Sequence, residues 1–438
     1  MFGIVSAASA AWAQTPVPAS ATPARPVVPG APRANSAPTF RDVATDYVTP
    51  RYEPAGFPIV AGNTDIGLYL GGVARITRFQ GGRRPYFWSM DLSLGASLKV
   101  GPRGLEFVQQ SYEWQSDIIG LLDGWLRLNP AVFFFRTINY GYWGIGNASP
   151  SSPAADYTGE PGRFFQFRLS EFWAYLAGRL TLHGPFSVSL SPVYRFVSPE
   201  PYADSQLARD AAVIEPSGAP RIYGVRPLHL VQLSARFIYD TRDSEIMPTR
   251  GLAYGLWLQY TRGFPLDADV AYMATGVSLS HYVPIAGPFV LAARLVVDLE
   301  FGRVPFYDLA RGATPYMLNM PGGGGAIRGV PSARYAGPFK IFGNIEIRAL
   351  LVSFRLLGQN FRLGLSAFFD AGRVWSDYTF NSPLDGAGPG LKFGTGLGAY
   401  LRWGQATIFR AEIAYSPDAA SANSGFPFGI YITDGVMF

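Results

Sequence analysis

From about Asn63 to Phe438 the chain runs in segments of roughly 10 to 16 residues in which apolar and polar side chains alternate, long enough to cross a bilayer when tilted. FVLAARLVVDLEF (289–301) is the clearest case. Phe289, Leu291, Ala293, Leu295, Val297, Leu299 and Phe301 fall on one face, and Arg294, Asp298 and Glu300 on the other. Of the 438 residues 48% are hydrophobic and 15% aromatic, yet no run approaches the 18 or more apolar residues of a membrane helix. So much apolar surface, placed at every second position, is the mark of a transmembrane β-barrel. A soluble sandwich also alternates. The barrel is favoured by persistence of the pattern along the chain and by polar faces rich in glycine and paired charge. LKFGTGLGAYLRW (391–403) shows both, with Lys392, Gly394, Gly396, Gly398 and Arg402 on its polar side.

The expected fold is all-β, a single transmembrane antiparallel barrel of about sixteen strands with its polar face inside. The first strand is expected at 64–79, the fourth and fifth at 120–129 and 131–142, and the last at 427–438. Connections at 284–288, 356–360 and Gly404-Gln405 are short, whereas 143–162, 199–227, 303–339 and 376–389 are long. Short periplasmic turns and long outer loops are what such barrels use. Ahead of the strands, residues 1–13 have the apolar character and Ala11-Trp12-Ala13 ending of a signal peptide, without its basic start, which suggests truncation. Residues 14–62 are rich in proline and alanine and read as a periplasmic linker, leaving 63–438 as the barrel. The absence of cysteine agrees with an envelope location, here the bacterial outer membrane. The net charge of +5 is small for this length and points to no nucleic-acid partner.

The sharpest local feature is PGGGGAIRG (321–329). Four glycines let the backbone fold back tightly and carry Arg328 close to a surface. Two following strands each offer a carboxylate on the polar face: Glu346 in KIFGNIEIRALL (340–351) and Asp370 in NFRLGLSAFFDAG (360–372). If that face lines a barrel, a long sixth outer loop can fold inward and pair Arg328 with both. Such a network anchors a plug-like loop, and the same anchor would set whether the lumen is open.

Chemistry of other kinds finds no support. His183, His229 and His281 stand apart, with no HxxxH, CxxC or nucleophile elbow. The glycine run lacks the Lys-Ser/Thr of a phosphate loop. No catalytic residue, metal ligand or cofactor is expected. Tyr142, Trp143, Trp257, Tyr260 and Trp403 are expected in an interfacial aromatic girdle.

Four motifs together resemble the BamA/TamA superfamily of bacterial surface-antigen barrels. IRGV (327–330), with Arg328 and Gly329, is similar to the arginine-glycine motif of the family's sixth outer loop. GNIEIR (343–348) resembles the strand whose inward acid, here Glu346, meets that arginine. FFDAG (368–372) matches the F-x-D-x-G motif through Phe368, Asp370 and Gly372. YDTRDSEIMPTRG (239–251) resembles a periplasmic turn of the family through Asp240, Arg242, Asp243, Pro248, Thr249 and Gly251. The resemblance spans about Asn63 to the end and implies outer-membrane protein assembly or translocation, with periplasmic assembly or chaperone subunits and client proteins as partners besides lipid. It departs from the family where polypeptide-transport-associated (POTRA) domains are expected, since 14–62 is too short and proline-rich to form one. The alternative is therefore a passive channel or structural barrel without insertase activity.

Overall fold

The computed structural model describes residues 48–438 except 64–66, 84, 102–103, 161, 266–268, 313–320, 357–358, 404–406 and 422–425. The expected signal peptide and most of the expected linker lie outside the described residues. Among the described residues sixteen strands form one sheet in sequence order. They are β1 (Arg51–Asn63), β2 (Gly67–Phe79), β3 (Trp88–Gly101), β4 (Gly104–Leu121), β5 (Leu126–Gly141), β6 (Gln166–Thr181), β7 (Phe186–Pro201) and β8 (Leu228–Asp240). The second half holds β9 (Gly251–Gly263), β10 (Ala271–Ala286), β11 (Phe289–Arg303), β12 (Phe339–Leu356), β13 (Gln359–Trp375), β14 (Lys392–Trp403), β15 (Thr407–Tyr415) and β16 (Phe428–Asp434). Every pairing is antiparallel.

The sheet is rolled around its polar face. Arg311, beyond β11, reaches Glu171 on β6, and Met247, between β8 and β9, packs with Tyr400 on β14 and Ile408 on β15. Contacts across so many intervening strands need a curled sheet. Leu295 on the outer face is 41% exposed while Asp298 on the inner face is fully buried, as the alternation requires. An arginine at the lipid-facing midplane of a barrel costs about 2–4 kcal/mol. Leu295→Arg should therefore lower the heat-modifiable, folded fraction on semi-native gels, while Leu295→Phe should leave it unchanged. Equal yields would place that face away from lipid.

The expected count of sixteen arises from two errors that cancel. Arg51–Asn63, assigned to the linker, is β1 and pairs with β2 along its whole length. Pro54 and Pro58 disguised it; β1 begins the strand order, and end strands tolerate residues that cannot donate to a ladder. The two strands expected at 120–129 and 131–142 are instead the end of β4 and a single β5. Pro130 suggested a break, but β5 continues through it. Pairing with β4 passes from Gln115↔Ala131 to Ile118↔Leu128, and Pro130 sits in that interval, where its missing N–H costs little.

The terminal strand is also shorter than expected. β16 stops at Asp434, and Val436 and Met437 are buried. Phe438 turns inward beside Tyr282, with Arg294 4.8 Å from its ring centroid and Arg348 Nη2 donating to its oxygen at 3.3 Å. Three girdle expectations fail as well. Trp257 is buried on the inner register of β9, and Tyr142 and Trp143 are buried beyond the end of β5. Gly276 makes the room for Trp257, since a Cβ there would lie 2.5 Å from the indole Cζ2. Tyr260 is exposed on the outer face, where it was expected.

Candidate functional site

Residues 304–338 join β11 to β12 as the sixth outer loop, and its described parts, 304–312 and 321–338, lie inside the rolled sheet. Its root is held by an ion cluster on the far wall. Arg195, on the inner face of β7, donates to Asp308 at 2.9 and 3.0 Å and to Glu171 at 3.0 Å. Arg311 clasps both oxygens of Glu171, at 2.8 and 3.0 Å, and Tyr272 donates to Asp308 at 2.9 Å. Two arginines and two acids thus balance, with Arg195 4.7 Å above the Trp173 ring. The sequence reading missed this cluster.

The tip carries Arg328, which is fully buried. Its Nε and Nη2 form a fork on Asp370 at 2.8 and 2.9 Å, and its backbone N–H donates to the same carboxylate at 3.0 Å. Nη1 meets Glu346 at 2.9 Å and Glu412 at 2.7 Å. The guanidinium lies 3.4 Å from the centroid of the Phe368 ring, a cation–π contact with water excluded. Arg348 beside Glu346 (3.7 Å) and Arg410 beside Glu412 (3.3 Å) bring the cluster to three guanidiniums and three carboxylates. Burial opposes the Arg328 charge, and Glu412, Asp370 and Glu346 overcome it, holding the pKa well above arginine's ordinary value.

Local sequence builds this seat. Beside the cluster the inner face of β14 is Gly394, Gly396 and Gly398, and a Cβ at Gly394 would run into the Arg328 carbonyl oxygen. Gly329 takes φ +93°, a conformation that favours glycine, and its N–H donates to Tyr431 Oη at 2.8 Å. In FFDAG, Phe368 supplies the ring and Asp370 the fork. Gly372 leaves space for Ile327, whose Cδ1 would lie 2.9 Å from a Cβ there. The glycine run 322–325, expected only to fold the backbone back, also packs: Gly324 sits against the Tyr431 ring, and Arg294 holds the Gly325 carbonyl at 2.7 Å.

The structure therefore brings Arg328, Gly329, Glu346, Phe368, Asp370 and Gly372 together. Glu412, Tyr400 and Tyr431 escaped the sequence reading. The alternation of TIFRAEIAY (407–415) was enough to place Glu412 inward, across the Gly394–Gly396–Gly398 stretch of β14, which puts no side chain between it and Asp370.

The other motif forms its own turn at the short-connection end. Asp240 accepts from the Arg242 N–H at 2.9 Å, and Asp243 accepts from the backbone of Thr249 and Arg250 and from the Thr249 hydroxyl. Pro248 and Gly251, at φ +105°, complete it. The turn points into the lumen, where Glu245 meets Arg127 at 3.4 Å. Burial pushes the Glu245 carboxyl up to about 7, against the pull of Arg127, Arg179 and Arg242. Tyr400 connects the two motifs, packing on Met247 with its ring and donating its hydroxyl to Glu346. At the opposite end, Asn147, Asp385, Arg334 and Tyr335 tie the outer loops together: Asn147 to the Gly390 carbonyl at 2.7 Å, Tyr335 to Asp418 at 2.6 Å.

The Omp85 superfamily domain matches residues 194–432, more than half of the chain, and contains every residue of the Arg328 seat. The chain belongs to the Omp85 superfamily. Among solved structures, this Omp85 chain is similar to BamA from Haemophilus ducreyi lacking POTRA domains 1–3, at 15% identity and TM-score 0.51, over 89% of this chain and 70% of that one. It is also similar to CdiB from Escherichia coli, at 13% identity and TM-score 0.51, over 88% of this chain but only 62% of CdiB. These likenesses show a shared barrel fold. No curated protein matches the chain. Omp85 barrels are outer-membrane proteins of assembly and transport rather than enzymes.

Proposed function

We propose that this Omp85 barrel works in the bacterial outer membrane in protein assembly or translocation, together with periplasmic partners. The observation that carries the reading is the sixth loop held inside the lumen by two buried ion clusters, at its root and at its tip. Buried ion pairs add little net stability, so two of them on one loop favour selection for a fixed, specific loop position. The inward turn at 241–250 and the tied outer loops occupy the lumen's ends, an arrangement that suits a gated assembly barrel better than a passive pore.

Affinity purification from native outer membrane tests this. The expected result is co-purification of a periplasmic subunit, together with reduced levels of other outer-membrane barrels when this chain is depleted. Large, steady conductance of the purified barrel alone, with no partner recovered and no change on depletion, would overturn the reading.

A further inference from the structure

The outward face of β8–β11 is apolar or aromatic almost throughout, interrupted by His229, Thr275 and His281. It ends, at the long-loop rim, in two arginines. Arg262 on β9 and Arg303 on β11 both stand opposite Ala271 of β10, so they flank one small residue on three adjacent strands. Strand spacing puts their Cα atoms roughly 10 Å apart, and two arginine side chains can converge over the Ala271 gap. One rung closer to the membrane, Tyr260, Met273 and Phe301 form an exposed row in the same arrangement, with Met273 opposite both neighbours. Tyrosine at this position marks the level of lipid headgroups.

Neither arginine makes a hydrogen bond or ion pair among the described residues. Their behaviour differs from that of other arginines near this rim, for Arg168 pairs with Glu200 at 2.7 Å and Arg226 with Asp269 at 3.0 Å. No carboxylate occupies an outward position on β8–β11. Two guanidiniums at headgroup depth, above an apolar wall and without counterions among the described residues, call for an anion supplied by the membrane.

We propose that Arg262 and Arg303 form a site for the phosphate groups of an outer-leaflet glycolipid, whose acyl chains lie along the Tyr260–Met273–Phe301 row. Arginine suits the task because its planar fork meets phosphate oxygens two at a time. A headgroup with two phosphates offers one to each guanidinium, and the two arginines flanking Ala271 engage the same lipid. The site rests on the outer-membrane reading and its orientation, and is independent of the assembly role.

Native mass spectrometry of the folded barrel in detergent, titrated with diphosphorylated lipid A, tests it. Wild type is expected to retain one lipid A and to hold the monophosphoryl form more weakly. Each arginine near a charged lipid surface is worth about fivefold in affinity, so Arg262→Gln with Arg303→Gln should weaken retention by about 25-fold. Both residues face outward, Arg262 half-buried and Arg303 exposed, with no hydrogen bond or ion pair among the described residues, so heat-modifiability of the double variant should equal wild type, and His281→Gln at the opposite rim should bind normally. Unchanged lipid A retention in the folded double variant would overturn the proposal, as would displacement of the lipid by millimolar inorganic phosphate. Loss of periplasmic partners with lipid retention intact would count against the assembly role and leave this site standing.

Discussion

Arg328→Ala is expected to destabilise the barrel more than any other single change considered. It removes the donor of four side-chain hydrogen bonds and leaves Glu346 with Arg348 and Tyr400, Glu412 with Arg410, and Asp370 without its fork. Removing one partner from a buried ion pair typically costs about 3–5 kcal/mol. Arg328→Lys keeps the charge and loses the fork, so its effect should be intermediate. The measurement is heat-modifiability on semi-native gels together with urea unfolding. A double-mutant cycle with Asp370→Ala should show coupling above roughly 1 kcal/mol. Simple additivity would mean that the pair does not act together. Charge exchange, Arg328→Glu with Asp370→Arg, is expected to rescue little. Glu412, which the sequence reading overlooked, would face the introduced carboxylate together with Glu346.

The second large effect is expected at the root of the sixth loop. Arg195→Ala removes the cation shared by Glu171 and Asp308, leaving Arg311 with Glu171 and Tyr272 with Asp308. Three bonds to two buried acids are lost, and the cost should again be about 3 kcal/mol. The loop root should then open locally while the tip remains seated, because Arg328 has no contact with this cluster. Limited trypsin digestion reads the difference: cleavage after Arg311, buried on Glu171 in wild type, should appear in Arg195→Ala and stay absent in wild type. A variant as resistant as wild type would show that the root cluster does not hold the loop. Combining Arg195→Ala with Arg328→Ala should release the whole segment from β11 to β12.

By itself the sequence determined what a two-residue period can carry. The period set the membrane-spanning β class and the inward side of Arg294, Asp298, Glu346 and Asp370, since each side chain's face follows from its place in its own strand. It also placed Arg328 near two acids, because the loop and the strands after it are close along the chain. Prolines misled the same reasoning at β1 and β5, where an end position and an interruption in the pairing with β4 made room for a residue without an N–H. Trp257 was assigned outward on residue type, although its register pointed inward and Gly276 left room for it. Only the tertiary structure decided what meets inside the lumen. Glu412 joins Arg328 across the glycine face of β14, Asp308 and Arg311 cross to β6 and β7, and the 241–250 turn reaches Tyr400. Those contacts depend on the curvature of the rolled sheet and the path of two inward-folding connections. Both are set by packing among distant strands, and neither leaves a periodic trace in any one of them.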